Sequence, residues 1–266
     1  MKDAVVFLGG GRITGALAAG LRLAGDERKI VVYDRHPEKS QALRRESRVE
    51  IAQNLRSAVE CAGMLVIAVR PASVKQMLDE VVACGAQPPK LCVSLAAGIP
   101  LANLRAQIGA PVRWARAMPS PVCRVGRGLT PVSFDRGVTQ SERITIRRFF
   151  AGVGQVLDLP ESQLDAITAV HSPTHGYHAV ATLAKAAREA GLEPKTALIA
   201  AAHALGEGIS YWRASGESLD ELLSEAATPG GVAAATMDAM DQAGYAKAVT
   251  RGLKAGVERA RKNARL

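Results

Sequence analysis

The chain has 266 residues, of which 48% are hydrophobic and 22% charged. That balance supports a sizeable core and excludes a mostly disordered chain, and no apolar run reaches the roughly 18 residues of a membrane span. The net charge is +9, but the positive residues are scattered, with the densest stretch at Lys254, Arg259, Arg261, Lys262 and Arg265. A solvated basic helix end accounts for that stretch, so neither a nucleic-acid nor a membrane partner is expected. Anionic small molecules suit the same charge.

Met1-Lys2-Asp3 leads directly into a short strand-like run, without the longer apolar region and small-residue cleavage site of a signal peptide. The cysteines are Cys61, Cys84, Cys92 and Cys123, and none forms a CxxC pair. No metal site and no disulfide framework is expected, and reduced thiols point to the cytoplasm.

In chain order, strands are expected at Ala4–Leu8, Ile30–Tyr33, Met64–Val69, Leu91–Leu95, Val112–Ala115 and Leu129–Phe134. Ile13, Leu17, Leu21 and Ala24 form a helical stripe between the first two. Strands alternating with helices predict a doubly wound parallel sheet with right-handed crossovers. The pattern changes near Asp158. Beyond it Pro160-Glu161 reads as a helix start, Leu198, Ala201, Leu205, Ile209 and Trp212 share one helical face, and Val249, Leu253 and Val257 share another. The expected architecture is α/β: a Rossmann-like domain over 1–157 followed by an all-helical domain over 158–266. Alanine richness permits close helix packing, and a helical half with little core of its own predicts a homodimer or higher homo-oligomer.

The first strand runs into Gly9-Gly10-Gly11-Arg12-Ile13-Thr14-Gly15. Gly9 permits a tight turn, and Gly11 lets the backbone approach a pyrophosphate at the helix N-terminus. The third position of the fingerprint is Thr14 rather than glycine, but the strand–turn–helix context supports dinucleotide binding over a plain turn. At the end of the second strand Asp34 suits a ribose 2′-hydroxyl and Arg35 a 2′-phosphate, so NADH and NADPH both stay open. Arg35 also reads as a solvated loop arginine. Val69-Arg70-Pro71 and Ser94-Leu95-Ala96-Ala97-Gly98 close later strands at the carboxyl edge, where small residues let a flat nicotinamide approach.

The chain resembles the pyrroline-5-carboxylate reductase family. The landmarks occur in order along nearly the whole length: the glycine turn, Asn54, Val69-Arg70-Pro71, Ser94–Ile99, Arg116-Ala117-Met118-Pro119, Gly152-Val153-Gly154, Asp165–Val170, Ala190-Gly191-Leu192 and Thr228-Pro229-Gly230-Gly231. The resemblance implies NADPH- or NADH-dependent hydride delivery to the C=N carbon of a small cyclic imino acid, giving proline, and a helical dimerisation domain. It implies cofactor contacts at Asn54 and Val69–Pro71, and places Thr168 near the substrate nitrogen. It puts Met118 and Tyr177 at the substrate, with Thr228, Gly230 and Gly231 around its carboxylate. A Pro-Gly-Gly turn opening a helix is physically suited to a carboxylate, although a plain helix connector has the same look.

Three stretches differ from the family pattern. Its small-residue run is replaced by His171-Ser172-Pro173-Thr174-His175-Gly176-Tyr177-His178; Ala233 stands where a threonine is usual; and Met118-Pro119-Ser120-Pro121 is shortened. All three lie in the implied substrate region, which opens the alternative of a different cyclic imine. His171, His175 and His178 read as interface packing, as a proton donor to the product nitrogen with His171 the candidate, or as a metal site that Pro173 disfavours. Two further alternatives are a β-hydroxyacid-type dehydrogenase, for which Lys185 is the only nearby lysine, and a non-catalytic nucleotide-binding dimer.

Overall fold

The computed structural model describes residues 4–265; Met1-Lys2-Asp3, on which the reading of the N-terminus rests, and Leu266 lie outside the described residues. The chain divides into two compact units, Met1–His171 with Gly256–Leu266, and Ser172–Ala255. In the first unit β1 (Ala4–Leu8), β2 (Ile30–Tyr33), β3 (Glu50–Ile51), β4 (Ala62–Ile67), β5 (Leu91–Ser94), β6 (Arg113–Ala117), β7 (Gly128–Phe134) and β8 (Gly154–Asp158) form one sheet, ordered β3-β2-β1-β4-β5-β6-β7-β8. The order reverses at β1, which places the first βα turn at the switch point where open α/β sheets bind ligands.

Helices α1 (Arg12–Leu23), α2 (Pro37–Ser47), α3 (Leu55–Cys61), α4 (Val74–Ala83), α5 (Leu101–Gln107), α6 (Gln140–Ala151) and α7 (Glu161–Val170) belong to this unit. Every residue of β1 is buried, and its alternation feeds two cores. Val5 and Phe7 pack with Leu17, Leu21, Phe149 and Phe150 on one face. Val6 and Leu8 pack with Leu78, Val81 and Trp114 on the other. Each such side chain contributes about 1.5–3 kcal/mol by leaving water. Leu17 and Leu21 lie one turn apart, so α1 turns a continuous stripe onto the sheet and holds its N-terminus at the β1 edge.

The expectation of an all-parallel sheet needs one correction. β7 pairs antiparallel with β6, while every other neighbour is parallel. Gly126, with φ +70, ends a short 3-10 turn at Pro121–Val125, and the chain reverses there without a crossover helix. β3 and β8 were not anticipated; β3 has two residues, and β8 (GQVLD) has no buried residue to give an apolar signal. The third strand begins two residues earlier than expected, and the fifth ends two later.

The second unit contains α8 (Thr174–Glu189), α9 (Pro194–Ser215), α10 (Leu219–Ala226) and α11 (Val232–Gln242); α12 (Tyr245–Asn263) starts there and gives its last residues to the first unit. α8 and α9 pack together, and Ala184, Ala197 and Ala201 are buried. Leu198, Ile199, Ile209, Tyr211 and Leu223 are exposed in the single chain, and Val232 is 87% exposed. No described helix is long and apolar enough to cross a membrane.

Candidate functional site

The β1–α1 turn is built around Gly9. Its φ of +116° is open to glycine, and a Cβ there would stand 2.7 Å from the Ala68 carbonyl oxygen. Thr14 donates its hydroxyl to the Gly9 carbonyl at 2.6 Å. The threonine in the third fingerprint position therefore braces the turn from inside. Gly11 is the N-cap of α1, and a Cβ built there meets no protein atom within 4 Å. The space above it is open, so a ligand backbone can come close to the orphan N–H groups of the first helical turn.

Asp34 joins this turn to the end of β2. Its Oδ2 accepts from the Gly10 N–H at 2.7 Å and its Oδ1 from the His36 N–H at 2.8 Å. Arg35 donates to Glu80 on α4 at 2.8 Å. Asn54 caps α3: its Oδ1 accepts from the Ser57 N–H at 2.8 Å, and its own N–H donates to the Ser57 hydroxyl at 3.3 Å.

A cleft of about 790 Å³ opens at this edge. It brings together nine of the expected residues: Gly9, Gly10, Gly11, Arg12, Ile13, Asp34, Arg35, Val69 and Arg70. Asn54, Pro71, Ala96, Ala97 and Gly98 are not in its lining. Pro71 opens a 3-10 turn beside a separate cavity of about 260 Å³, and Ala96–Gly98 continue from Leu95, which does line the cleft. His36, Lys39, Ala68, Ser73 and Met77 complete the wall without having been anticipated there. The charges in the run Arg35-His36-Pro37-Glu38-Lys39 were the available signal for two of them. Arg12, Arg35, Lys39 and Arg70 against the single carboxylate Asp34 make the wall cationic, as a dinucleotide pyrophosphate requires. The glycine cradle, the orphan amides and the charge fit NAD(P)H.

At the end of β6 a second group of residues gathers. Arg116 is buried, and its guanidinium donates to Glu161 at 3.0 Å and to Asp165 at 3.3 Å, both on α7. Glu161 also accepts from the Leu101 N–H at 2.7 Å, capping α5. Arg116 and Asp165 stood out only as landmarks and Glu161 only as a helix start; none of the three was assigned to the site. One turn past Asp165, the Thr168 hydroxyl donates to the Leu164 carbonyl at 2.5 Å, which leaves its oxygen as an acceptor. His171 ends α7 with both ring nitrogens at backbone carbonyls: Nδ1 is 2.8 Å from Ile167 O and Nε2 is 2.7 Å from Met118 O. Both ring nitrogens therefore face backbone carbonyls. The Met118 side chain is itself buried.

In the second unit, Tyr177 lies on α8 and is 67% exposed, with His175 and His178 on the same helix. Among the described residues no three His, Cys, Asp or Glu side chains gather as metal ligands would. Lys185 pairs with Glu189 at 4.0 Å on the helix surface. The Thr228–Gly231 turn precedes α11, with Gly231 as N-cap. The Gly231 N–H closes the turn onto Thr228 O at 2.8 Å. It is used within the turn, and the donors that α11 presents begin at Val232 and Ala233.

Two family models match the chain: residues 4–98 match NADP oxidoreductase coenzyme F420-dependent, and residues 161–263 match pyrroline-5-carboxylate reductase dimerisation. The pyrroline-5-carboxylate reductase of Mycobacterium tuberculosis is 30% identical over 280 residues, covering 96% of this chain and 95% of that one. That of Mycobacterium leprae is 33% identical over 208 residues, covering 76% and 70%. A crystal structure of Plasmodium falciparum pyrroline carboxylate reductase with NADP bound superposes with a TM-score of 0.87 over 98% of both chains at 19% identity, a likeness of fold. With a Rossmann edge shaped for a dinucleotide and a full-length relative at 30% identity, this chain belongs to the pyrroline-5-carboxylate reductase family.

Proposed function

We propose that the protein reduces 1-pyrroline-5-carboxylate to L-proline with NADPH or NADH. The observation that carries this reading is the match to the Mycobacterium tuberculosis reductase along 96% of the chain. When bound, the reduced nicotinamide supplies a hydride to the imine carbon. The chain's own residues supply position and polarity. Gly9–Ile13 cradle the pyrophosphate, Asp34 and Arg35 stand at the adenosine ribose, and the strand ends at Val69–Pro71 and Ala96–Gly98 shape the nicotinamide end. Asn54, the cap of α3 just after β3, stands on the β2 side of the sheet and contributes at the adenosine end through its remaining amide group.

Hydride addition to a protonated imine leaves a neutral secondary amine. The protein then needs to hold a proton on nitrogen rather than deliver a second one. The Thr168 oxygen, an acceptor because its proton goes to Leu164, suits an iminium N–H. His171 serves as a tie between backbone segments. Thr228, Gly230 and the first N–H groups of α11 suit the carboxylate. The exposed apolar residues of α9 and α10 support a homodimer, which light scattering distinguishes from a 27.9 kDa monomer.

The test is oxidation of NADPH and NADH at 340 nm with 1-pyrroline-5-carboxylate and a panel of other cyclic imines. Turnover of 1-pyrroline-5-carboxylate supports the reading. Activity on another imine alone favours the second reading, a different cyclic imine, which the bulkier His171–His178 stretch and Ala233 motivate. Cofactor binding without any turnover removes both.

A further inference from the structure

The last turn of α12 holds the turn that follows β5. Asn263 is buried, and its Nδ2 donates to the Ala97 carbonyl at 3.0 Å. Its Oδ1 accepts from Arg259 Nη1 at 2.8 Å. The amide is thereby fixed in one orientation, because a flip would set oxygen against the Ala97 carbonyl and a donor against a cation. Gly98 has φ +78, and a Cβ there would collide with the Ala260 carbonyl oxygen. Asn103 adds a bond to the Ala264 carbonyl at 2.9 Å. On its other side the same turn continues from Leu95, whose N–H donates to Ile67 O at 2.9 Å and which lines the cofactor cleft.

We infer that Asn263 is a positioning residue for the cofactor: through Ala97 it sets the Ala96–Gly98 turn at the nicotinamide end of the cleft. It touches neither cofactor nor substrate. The inference rests on the reading of the cleft as the NAD(P)H site, and it separates the two halves of the dinucleotide. The adenosine half lies at Asp34 and Arg35, on a different strand end, and is indifferent to Asn263.

The deciding variant is Asn263→Asp, which keeps the shape and replaces the donor with an oxygen facing a carbonyl. Asn263→Ala removes the group and keeps the test available should the aspartate variant not fold. On the full chain, the Kd of NADPH is compared with that of 2′,5′-ADP, or NADH with ADP, using whichever pair the wild type binds. The expected result is a loss of roughly three- to tenfold in dinucleotide affinity, with the fragment unchanged. Equal weakening of both ligands, or no change in either, overturns the inference. Because the measurement needs no substrate, a wild type that binds cofactor but leaves 1-pyrroline-5-carboxylate untouched can still show the split. That outcome supports the role of Asn263 while removing the proposed reaction.

Discussion

Nε2 of His171 lies 2.7 Å from the carbonyl oxygen of Met118, bridging the end of α7 to the end of β6. A neutral imidazole donates to one of its two carbonyl neighbours, and the doubly protonated ring to both. His171→Ala is expected to lower stability by about 1–3 kcal/mol, seen as a lower urea midpoint. The shape of the pH–rate profile is expected to stay the same. Loss of a titrating limb in a folded variant would instead make the ring a proton donor.

Thr168→Val keeps the β-branched shape and removes the oxygen. If that oxygen receives an iminium N–H, kcat/KM for the imine falls roughly ten- to a hundredfold, since a hydrogen bond to a charged group is at stake. The thermal midpoint and the cofactor Kd are expected to stay near wild type. A variant with undiminished kcat/KM would detach Thr168 from the reaction.

Arg116 is the buried member of an ionic cluster whose carboxylates, Glu161 and Asp165, reach partly into solvent. Arg116→Met leaves both carboxylates without their cation and uncouples α7 from the sheet. The expected loss is about 2–4 kcal/mol, at the low end for a buried pair because solvent screens the two acids. Denaturant unfolding measures it, and a double-mutant cycle with Asp165→Asn separates the pair's own coupling.

Glu142 gives the stability curve an acid-side slope. Burial acts to raise its carboxyl, but the hydrogen bond from Arg113 and those from Thr139 outweigh it and hold the group below its ordinary 4.5. A carboxylate lowered by folding contributes fully above its unfolded value and loses that contribution as pH falls through the folded one. Glu142→Gln is therefore expected to be destabilised by about 1–2 kcal/mol at pH 7. The gap to wild type narrows as pH falls below 4.5, and urea midpoints at pH 7 and pH 3 test both the size and the sign.

The sequence displayed those parts of the fold whose signal is local. β1 and β2 were legible to the residue because each is an uninterrupted apolar run, and the glycine turn because its steric demand falls on consecutive positions. The direction of β7 was not legible, since a run of apolar residues reads alike in a parallel and an antiparallel neighbour. Arg116 lies one residue past the expected strand end at Ala115, and its buried ion pairs exist only once α7 brings two carboxylates to it. For His171 the residue type was legible, but its backbone partner was not, since Met118 O is 53 positions away in sequence. Asn263 gave no signal at all, because its partner is 166 positions away and its role exists only once α12 returns to the sheet.

Gly9 and Gly11 answer to different masters. Replacing Gly9 strains the chain itself, while a methyl group at Gly11 would point into empty space from a φ of −81 that any residue tolerates. The fold itself places no steric demand on Gly11, so a side chain there is expected to cost the fold little and to be felt by a ligand lying against the helix end. In a descendant released from cofactor use, position 11 would be free to drift while position 9 stayed fixed.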